Sequence, residues 1–202
     1  MGHGIRVVLF DLGGVLIRLR GVQVLLAHLE GRMDEPELMR RWLASPAVRA
    51  FESGNSSLET FCRDMVAELD LPMEETAFLE VFRTFLEGPF PLVSQTLPML
   101  AGRIRFGILS NTSEPHWQEA MRLLPALSFA QWHFLSFRMG LVKPDAAMFR
   151  AVLDLLGEPP ETVLYFDDHP TNVAAARELG IQAVPVNGFG EAVEAMEALG
   201  IL

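Results

Sequence analysis

The sequence predicts an α/β fold: a parallel sheet with helices on both faces and an all-helical cap inserted after the first strand. Three observations carry this. Five short apolar runs read as buried strands, helical patterns alternate with the later runs, and residues 19–92 interrupt the alternation with helical patterns and no convincing strand. At 202 residues the chain is long enough for one good core with a small accessory unit. The expected division is a core of residues 1–18 and 93–202 and a cap of residues 19–92.

The first run, "IRVVLF" (5–10), is closed by Asp11 and then by Gly13 and Gly14, a central strand of a parallel sheet ending in a turn. In the insertion, "ELMRRWLAS" and "PAVRAFESG" read as two short helices. Ser56 and Glu59 fit a capping box for a longer one, whose Leu58, Phe61, Cys62, Met65, Val66 and Leu69 recur at helical spacing. "PMEETAFLEVFRTFLEG" supplies another helix, opened by Pro72 and closed by Gly88. The strand rhythm then resumes with "IRFGIL" (104–109), a helix over "EPHWQEAMRLLPAL", and "WHFLSF" (132–137). Next come a helix over "PDAAMFRAVLDLLG" with Pro144 at its start, "TVLYF" (162–166), a helix over "PTNVAAARELG" that ends on Gly180, and "QAVPV" (182–186). Strand, helix, strand in this order implies right-handed crossovers.

Charge and cysteine content narrow the function. The 26 Asp and Glu exceed the 16 Lys and Arg, giving a net charge of -10 with no basic block, so nucleic acid and anionic membrane surfaces are not expected partners. Cys62 is the single cysteine and lies on an apolar helix face, which favours a reducing compartment and argues against a thiol nucleophile. The start "MGHGIRVV" lacks a leader's apolar region and carries Arg6 where a myristoylation signal needs Ser or Thr. A cytoplasmic protein, monomeric or homodimeric, is the expectation.

The strand ends concentrate polar residues. Asp11 ends the first strand, Ser110, Asn111 and Thr112 follow the second, Lys143 precedes Pro144, and Asp167 and Asp168 end the strand at 162–166. Ligands of parallel sheets bind beyond the carboxyl ends of the strands. Carboxylates about 4 Å apart repel by roughly 4 kcal/mol at an effective dielectric near 20, so the cluster calls for a cation. Hard oxygen donors without His or Cys at ligand spacing suit Mg²⁺. The competing role of Asp167 and Asp168 is capping the helix that follows.

In these residues the chain resembles the haloacid dehalogenase superfamily, whose four motifs look like "VVLFDLGGVL", "FGILSNTSE", "GLVKPDAAMF" and "VLYFDDHPTNVAAAR" in the same order. The stretch "FESGNSSLETF" is similar to one common in the caps of that family. The resemblance implies a Rossmann-like core with a helical cap and a Mg²⁺-dependent phosphatase. Its substrate would be a small phosphorylated metabolite, a sugar phosphate being suggested by the Asp-Leu-Gly subgroup. By that resemblance Asp11 would be the nucleophile forming an aspartyl-phosphate, Ser110 or Asn111 would hold phosphoryl oxygens, and Lys143 would neutralise the nucleophile. Asp11, Asp168, Asp167 and the carbonyl of Gly13 would hold the metal, with Asn172 bracing them.

One departure matters. Most phosphatases of the family carry a second Asp two residues after the nucleophile, to protonate the leaving oxygen, and this chain has Gly13 there. That leaves a slower phosphatase, a replacement acid such as His169, His116 or a cap residue, or a leaving group that needs no proton. The last case is a 2-haloacid dehalogenase using Asp11 without metal; a catalytically degenerate binding protein is the further alternative. Arg18, Arg20, Arg41 and Trp42, in or beside the cap, are the specificity candidates.

Overall fold

A computed structural model describes residues 4–202; the reading of the extreme N-terminus, residues 1–3, lies outside the described residues. The chain enters the sheet as β1 (Val7–Phe10), crosses a short β2 (Ile17–Leu19), and then forms five helices: α1 (Gly21–Leu29), α2 (Glu35–Ala44), α3 (Pro46–Glu52), α4 (Leu58–Glu68) and α5 (Glu75–Arg83). It returns through β3 (Leu86–Pro89), α6 (Val93–Ala101), β4 (Arg105–Ser110), α7 (Glu114–Leu123), β5 (Trp132–Leu135) and the single turn α8 (Ser136–Met139). The remainder is α9 (Ala146–Leu156), β6 (Val163–Asp167), α10 (Pro170–Glu178), β7 (Gln182–Pro185) and α11 (Phe189–Ala198).

The five expected strands form one parallel sheet in the order β5-β4-β1-β6-β7. Residues alternate between its faces. Val8, Phe10, Phe106, Ile108, Leu164 and Phe166 pack on one side with α6, α7 and α11, and Val7, Leu9, Leu109, Val163 and Tyr165 on the other with α9 and α10. Burial on both faces is why β1 and β6 read as unbroken apolar runs. Phe10 is level with Ile108 and Phe166, so Asp11, one residue on, emerges between the ends of β4 and β6. Its amide donates to Phe166 O at 2.8 Å.

The inserted helices have a core of their own, built on Leu25, Leu38, Phe51, Phe61, Phe78 and Phe82. The Phe51 and Phe61 rings stack at 4.3 Å between centroids. Residues 19–92 do hold a strand, contrary to the sequence reading. β3 pairs antiparallel with β2, Ile17 opposite Pro89 and Arg18 opposite Gly88, so both passages between core and cap run side by side. A three-residue strand pairing with "LEGP" across about seventy residues leaves no local periodicity to read.

Local differences have physical reasons. α4 is capped by Ser57, which accepts from Thr60 N at 3.1 Å, not by Ser56 with Glu59; adjacent serines are equivalent to a sequence pattern, and the backbone turn selects between them. α5 starts at Glu75, not Pro72, and ends at Arg83, before Gly88, which belongs to β3. α9 begins two residues after Pro144. β5 stops at Leu135 because Ser136 turns to bond both backbone groups of Thr112, at 2.9 and 3.1 Å. Among the described residues no helix is long and apolar enough to cross a membrane.

Candidate active site

Lys143 organises the strand ends. Its side chain is buried, and its ammonium lies 3.0 Å from Asp11 Oδ1 and 2.7 Å from Asp167 Oδ2. It also donates to Leu109 O and to the Tyr165 hydroxyl, each at 3.0 Å. Burial pulls its pKa down, but the charges of Asp11 and Asp167 outweigh this and hold it above the ordinary lysine value. The backbone of Lys143 is fixed by Asn111, whose Oδ1 accepts from Lys143 N at 2.8 Å while its Nδ2 donates to Lys143 O at 2.9 Å. Asn111 thus ties the two loops together with one of its two amide hydrogens. The Ser110 hydroxyl lies 3.3 Å from Asn111 O.

Asp11, Asp167 and Asp168 each offer a carboxylate oxygen within 4.8 Å of the others. At that spacing each pair of charges repels by about 3 kcal/mol at an effective dielectric of 20. One ammonium faces three carboxylates, so two negative charges are uncompensated. Burial first, then the repulsion of Asp167 and Asp168, push the Asp11 carboxyl up to about 7 in spite of Lys143. Asp168, exposed at the rim, is shifted upward by partial burial and by Asp167.

Asp167 differs from its neighbours. It is fully buried, and its oxygens receive His169 N at 2.8 Å, Asn172 Nδ2 at 3.0 and 3.1 Å, Lys143 Nζ at 2.7 Å and the Tyr165 hydroxyl. Those donors fill the lone pairs of a carboxylate. Burial alone would raise its pKa; Lys143 above all, with Tyr165 and the His169 amide, holds it below the usual carboxylate range. Asp167 therefore orients Lys143, leaving Asp11 and Asp168 as the carboxylates with free oxygens. Asn172, through Nδ2, fixes the Asp167 carboxylate.

Gly14 makes the close approach of Asp168 possible. Its φ of 73° lies in the left-handed region, and a Cβ there would overlap Asp168 Oδ2. In the sequence the glycine pair reads as a simple turn; a second glycine beyond what the turn needs is the signal of the close approach. Tyr165 was missed because its ring is core and only its hydroxyl belongs to the site.

A cavity of about 210 Å³ lies between the cap and the loops that follow β1 and β4, next to this cluster along the chain; Asp11, Lys143, Asp167 and Asp168 do not themselves line it. Its core end is formed by Leu12, Gly13, Ser110, Asn111, Thr112 and Ser113, and the Ser113 hydroxyl is buried without a hydrogen-bond partner. Glu52, at the end of α3, lines it from the cap. Burial pushes the Glu52 carboxyl up to about 7, against a smaller opposite pull from Lys143, and among the described residues no ion pair reaches it.

His116 is not a surface residue. It lines the same cavity, stacks on Phe82 at 4.0 Å between centroids and bonds Phe82 O through Nε2 at 2.9 Å; burial lowers its pKa. His169 lies outside the cavity wall, its Nδ1 2.7 Å from the Thr171 hydroxyl. Arg18 and Arg20 are spent on the cap hinge, Arg18 on Glu87 and Pro89 O and Arg20 on Thr84 O. Arg41 pairs with Glu37, and of the four specificity candidates only Trp42 lines the cavity. Cys62 is buried in the cap core.

This architecture is shared. A predicted HAD-like family hydrolase from Porphyromonas gingivalis superimposes with a TM-score of 0.79 at 28% identity, over 98% of each chain. A HAD family enzyme from Bacteroides thetaiotaomicron, crystallised as a magnesium complex, superimposes with a TM-score of 0.76 at 22% identity, over 92% of this chain and 94% of that one. The validoxylamine A 7'-phosphate phosphatase of Streptomyces hygroscopicus subsp. limoneus is 23% identical over 96% of this chain and 91% of its own length. The chain spans about a fifth of the length of other curated relatives it matches. Residues 5–180 match the family model described as haloacid dehalogenase-like hydrolase, and the chain belongs to that family.

Proposed function

We propose that the chain is a Mg²⁺-dependent phosphatase of a small phosphorylated metabolite, working through an aspartyl-phosphate on Asp11. The observation that carries this is the charge balance at the strand ends: one buried ammonium among three carboxylates, two of them with free oxygens. The residues fit the metal. The donors are hard oxygens with no competing nitrogen or sulfur, the missing Cβ of Gly14 admits Asp168, and the uncompensated charge matches a divalent ion. Asp11, Asp168 and the Gly13 carbonyl would hold the magnesium. Bound there, it supplies charge stabilisation for the phosphoryl oxygens.

The chain's own groups do the rest. Asp11 attacks phosphorus, the ester P–O bond breaks, and the leaving oxygen takes a proton. Water then attacks the phosphorus of the aspartyl-phosphate, gives up its proton, and releases inorganic phosphate and free Asp11. Lys143, fixed by Asp167, Tyr165 and Asn111, offsets the charge that builds on the phosphoryl group, and the Ser110 hydroxyl donates to one of its oxygens. Glu52 takes the place of the acid missing at Gly13. It lines the cavity beside the strand ends, and its carboxyl changes protonation near neutral pH, where one group serves first as acid and then as base. His116 is bonded to Phe82 O and His169 Nδ1 to the Thr171 hydroxyl, which favours Glu52 for this role.

A dehalogenase reading gives Asp168 no task, and a binding-only protein has no need of an orienting network on Lys143. The test is phosphate release from a panel of small phosphoesters, with and without Mg²⁺, by the wild type and Asp11→Asn. Metal-dependent release that the variant loses is the expected result. Halide release from 2-haloacids without metal, or silence in both assays, overturns the proposal.

A further inference from the structure

The cavity between core and cap has few polar groups. Glu52 lines it from the cap and His116 from α7; the other walls that the cap supplies are apolar, Leu25, Leu38, Trp42, Val48, Phe51 and Phe82 among them. The other polar groups gather at the core end, on Ser110 to Ser113, next to Leu12 and Gly13 and so beside Asp11. A phosphomonoester seated with its phosphate on the strand ends directs its alcohol portion into that apolar space.

We propose that the substrate is the phosphomonoester of a small apolar alcohol, its hydrocarbon part enclosed by the cap. This rests on the phosphatase reading above and names its substrate class. An apolar cavity of about 150 Å³ takes up benzene, so about 210 Å³ accommodates roughly eight heavy atoms. Each methylene moved from water to such a wall favours binding by roughly fourfold. A sugar of the same size carries several hydroxyls, and most of them would face Leu25, Leu38, Val48 and Phe51, which offer no partner; each hydroxyl buried unpaired costs about tenfold or more. The unpaired Ser113 hydroxyl stands at the core end, where the ester oxygen and its first carbons would lie, and the Glu52 carboxyl on the cap side is a single polar group against the apolar walls.

The experiment is kcat/KM for linear alkyl phosphates from ethyl to decyl, with glycerol phosphate and glucose 1-phosphate as polar counterparts and acetyl phosphate as a substrate without a tail. The expected result is a rise of roughly fourfold per methylene that levels off near eight heavy atoms, with the polar esters at least tenfold below alkyl esters of equal size. Met39 is half-buried and lines the cavity, and Met39→Gln should flatten the chain-length slope while the helical circular dichroism is retained. A slope that is flat or negative, or a preference for the sugar ester, overturns the apolar-alcohol proposal while leaving the phosphatase reading intact. No release from any compound, acetyl phosphate included, overturns the phosphatase reading and this proposal with it.

Discussion

Replacing Glu52 by Gln separates its role as a proton donor from its role as a wall. The two forms have nearly the same shape, but Gln cannot ionise or transfer a proton. Burial is the main cause of the raised Glu52 carboxyl; Lys143 is the charged group whose field reaches it, and His116 shares the cavity. Moving a carboxyl from 4.5 to about 7 disfavours its ionisation by about 3 kcal/mol, a ceiling because the residue is only half-buried. The raised value fixes the sign. Below pH 4.5 both folded and unfolded chains hold the proton, and the folded state bears no penalty. As pH rises from 4.5 to about 7 the unfolded chain releases its proton while the folded chain keeps it, so wild-type stability falls across that window and then levels. Glu52→Gln should therefore match the wild type in urea melts at pH 4 and exceed it at pH 8 by up to about 3 kcal/mol, or roughly 6–12 °C in melting temperature. The catalytic consequence runs the other way. On alkyl phosphates kcat/KM, which reports transfer to Asp11 and not the later hydrolysis common to all esters, should drop by about 10²–10⁴, whereas on p-nitrophenyl phosphate, whose leaving group needs no proton, it should lose far less. Equal losses on both esters, or no loss on either, refute the assignment of Glu52 as the acid; a stability difference that does not change with pH refutes the buried, proton-holding carboxyl.

The other expectations are read from single contacts. Saturating Mg²⁺ at a hundred times its Kd should stabilise the protein by about 2.7 kcal/mol, seen as a rise of roughly 5–11 °C by differential scanning fluorimetry, and Asp168→Asn should remove most of it. Gly14→Ala puts a methyl group against Asp168 at φ 73°; a loss of at least 1 kcal/mol in chemical denaturation and a loss of the Mg²⁺-induced thermal shift are expected together. Tyr165→Phe leaves the ring in place but deletes the hydroxyl between Lys143 and Asp167; a cost of about 1–3 kcal/mol in stability and a lower kcat with little change in KM should follow. The Cys62 thiol, which burial pushes up to about 11, should react with a disulfide reagent only after denaturant is added, as followed by absorbance.

What the sequence revealed and what it withheld divide along physical lines. Val7–Phe10 and Val163–Asp167 were legible because strands buried on both faces carry an unbroken apolar signal, and Asp11, Ser110 and Asp168 were legible because parallel neighbours bring their carboxyl ends together. Asp167 was legible as an acid at the site but not as the one saturated by five donor contacts, since that depends on Lys143 arriving from another loop and on the Tyr165 and Asn172 side chains turning onto it. Tyr165 looked like any aromatic in a strand. The environment of Glu52 is assembled by the close of the cap over the strand ends, and nothing within "FESG" states it. The β2–β3 ribbon escaped for the same reason, because its pairing partners stand far apart in sequence.

The two ends of the cavity answer to different selective demands. Every phosphomonoester presents the same anionic group, so in the proposed reaction Asp11, Lys143 and Asp168 would act on all such esters alike and would not distinguish one alcohol from another. Discrimination has to come from the walls beyond the phosphate, and most of those belong to α1 through α5, whose apolar core is separate from both faces of the sheet. Because the cap joins the sheet through the paired β2 and β3, its interior can be repacked without moving the register that sets Asp11 between β4 and β6. Substitutions of the strand-end groups should then depress turnover of every ester by a similar factor, while substitutions of the cap wall should reorder the esters among themselves.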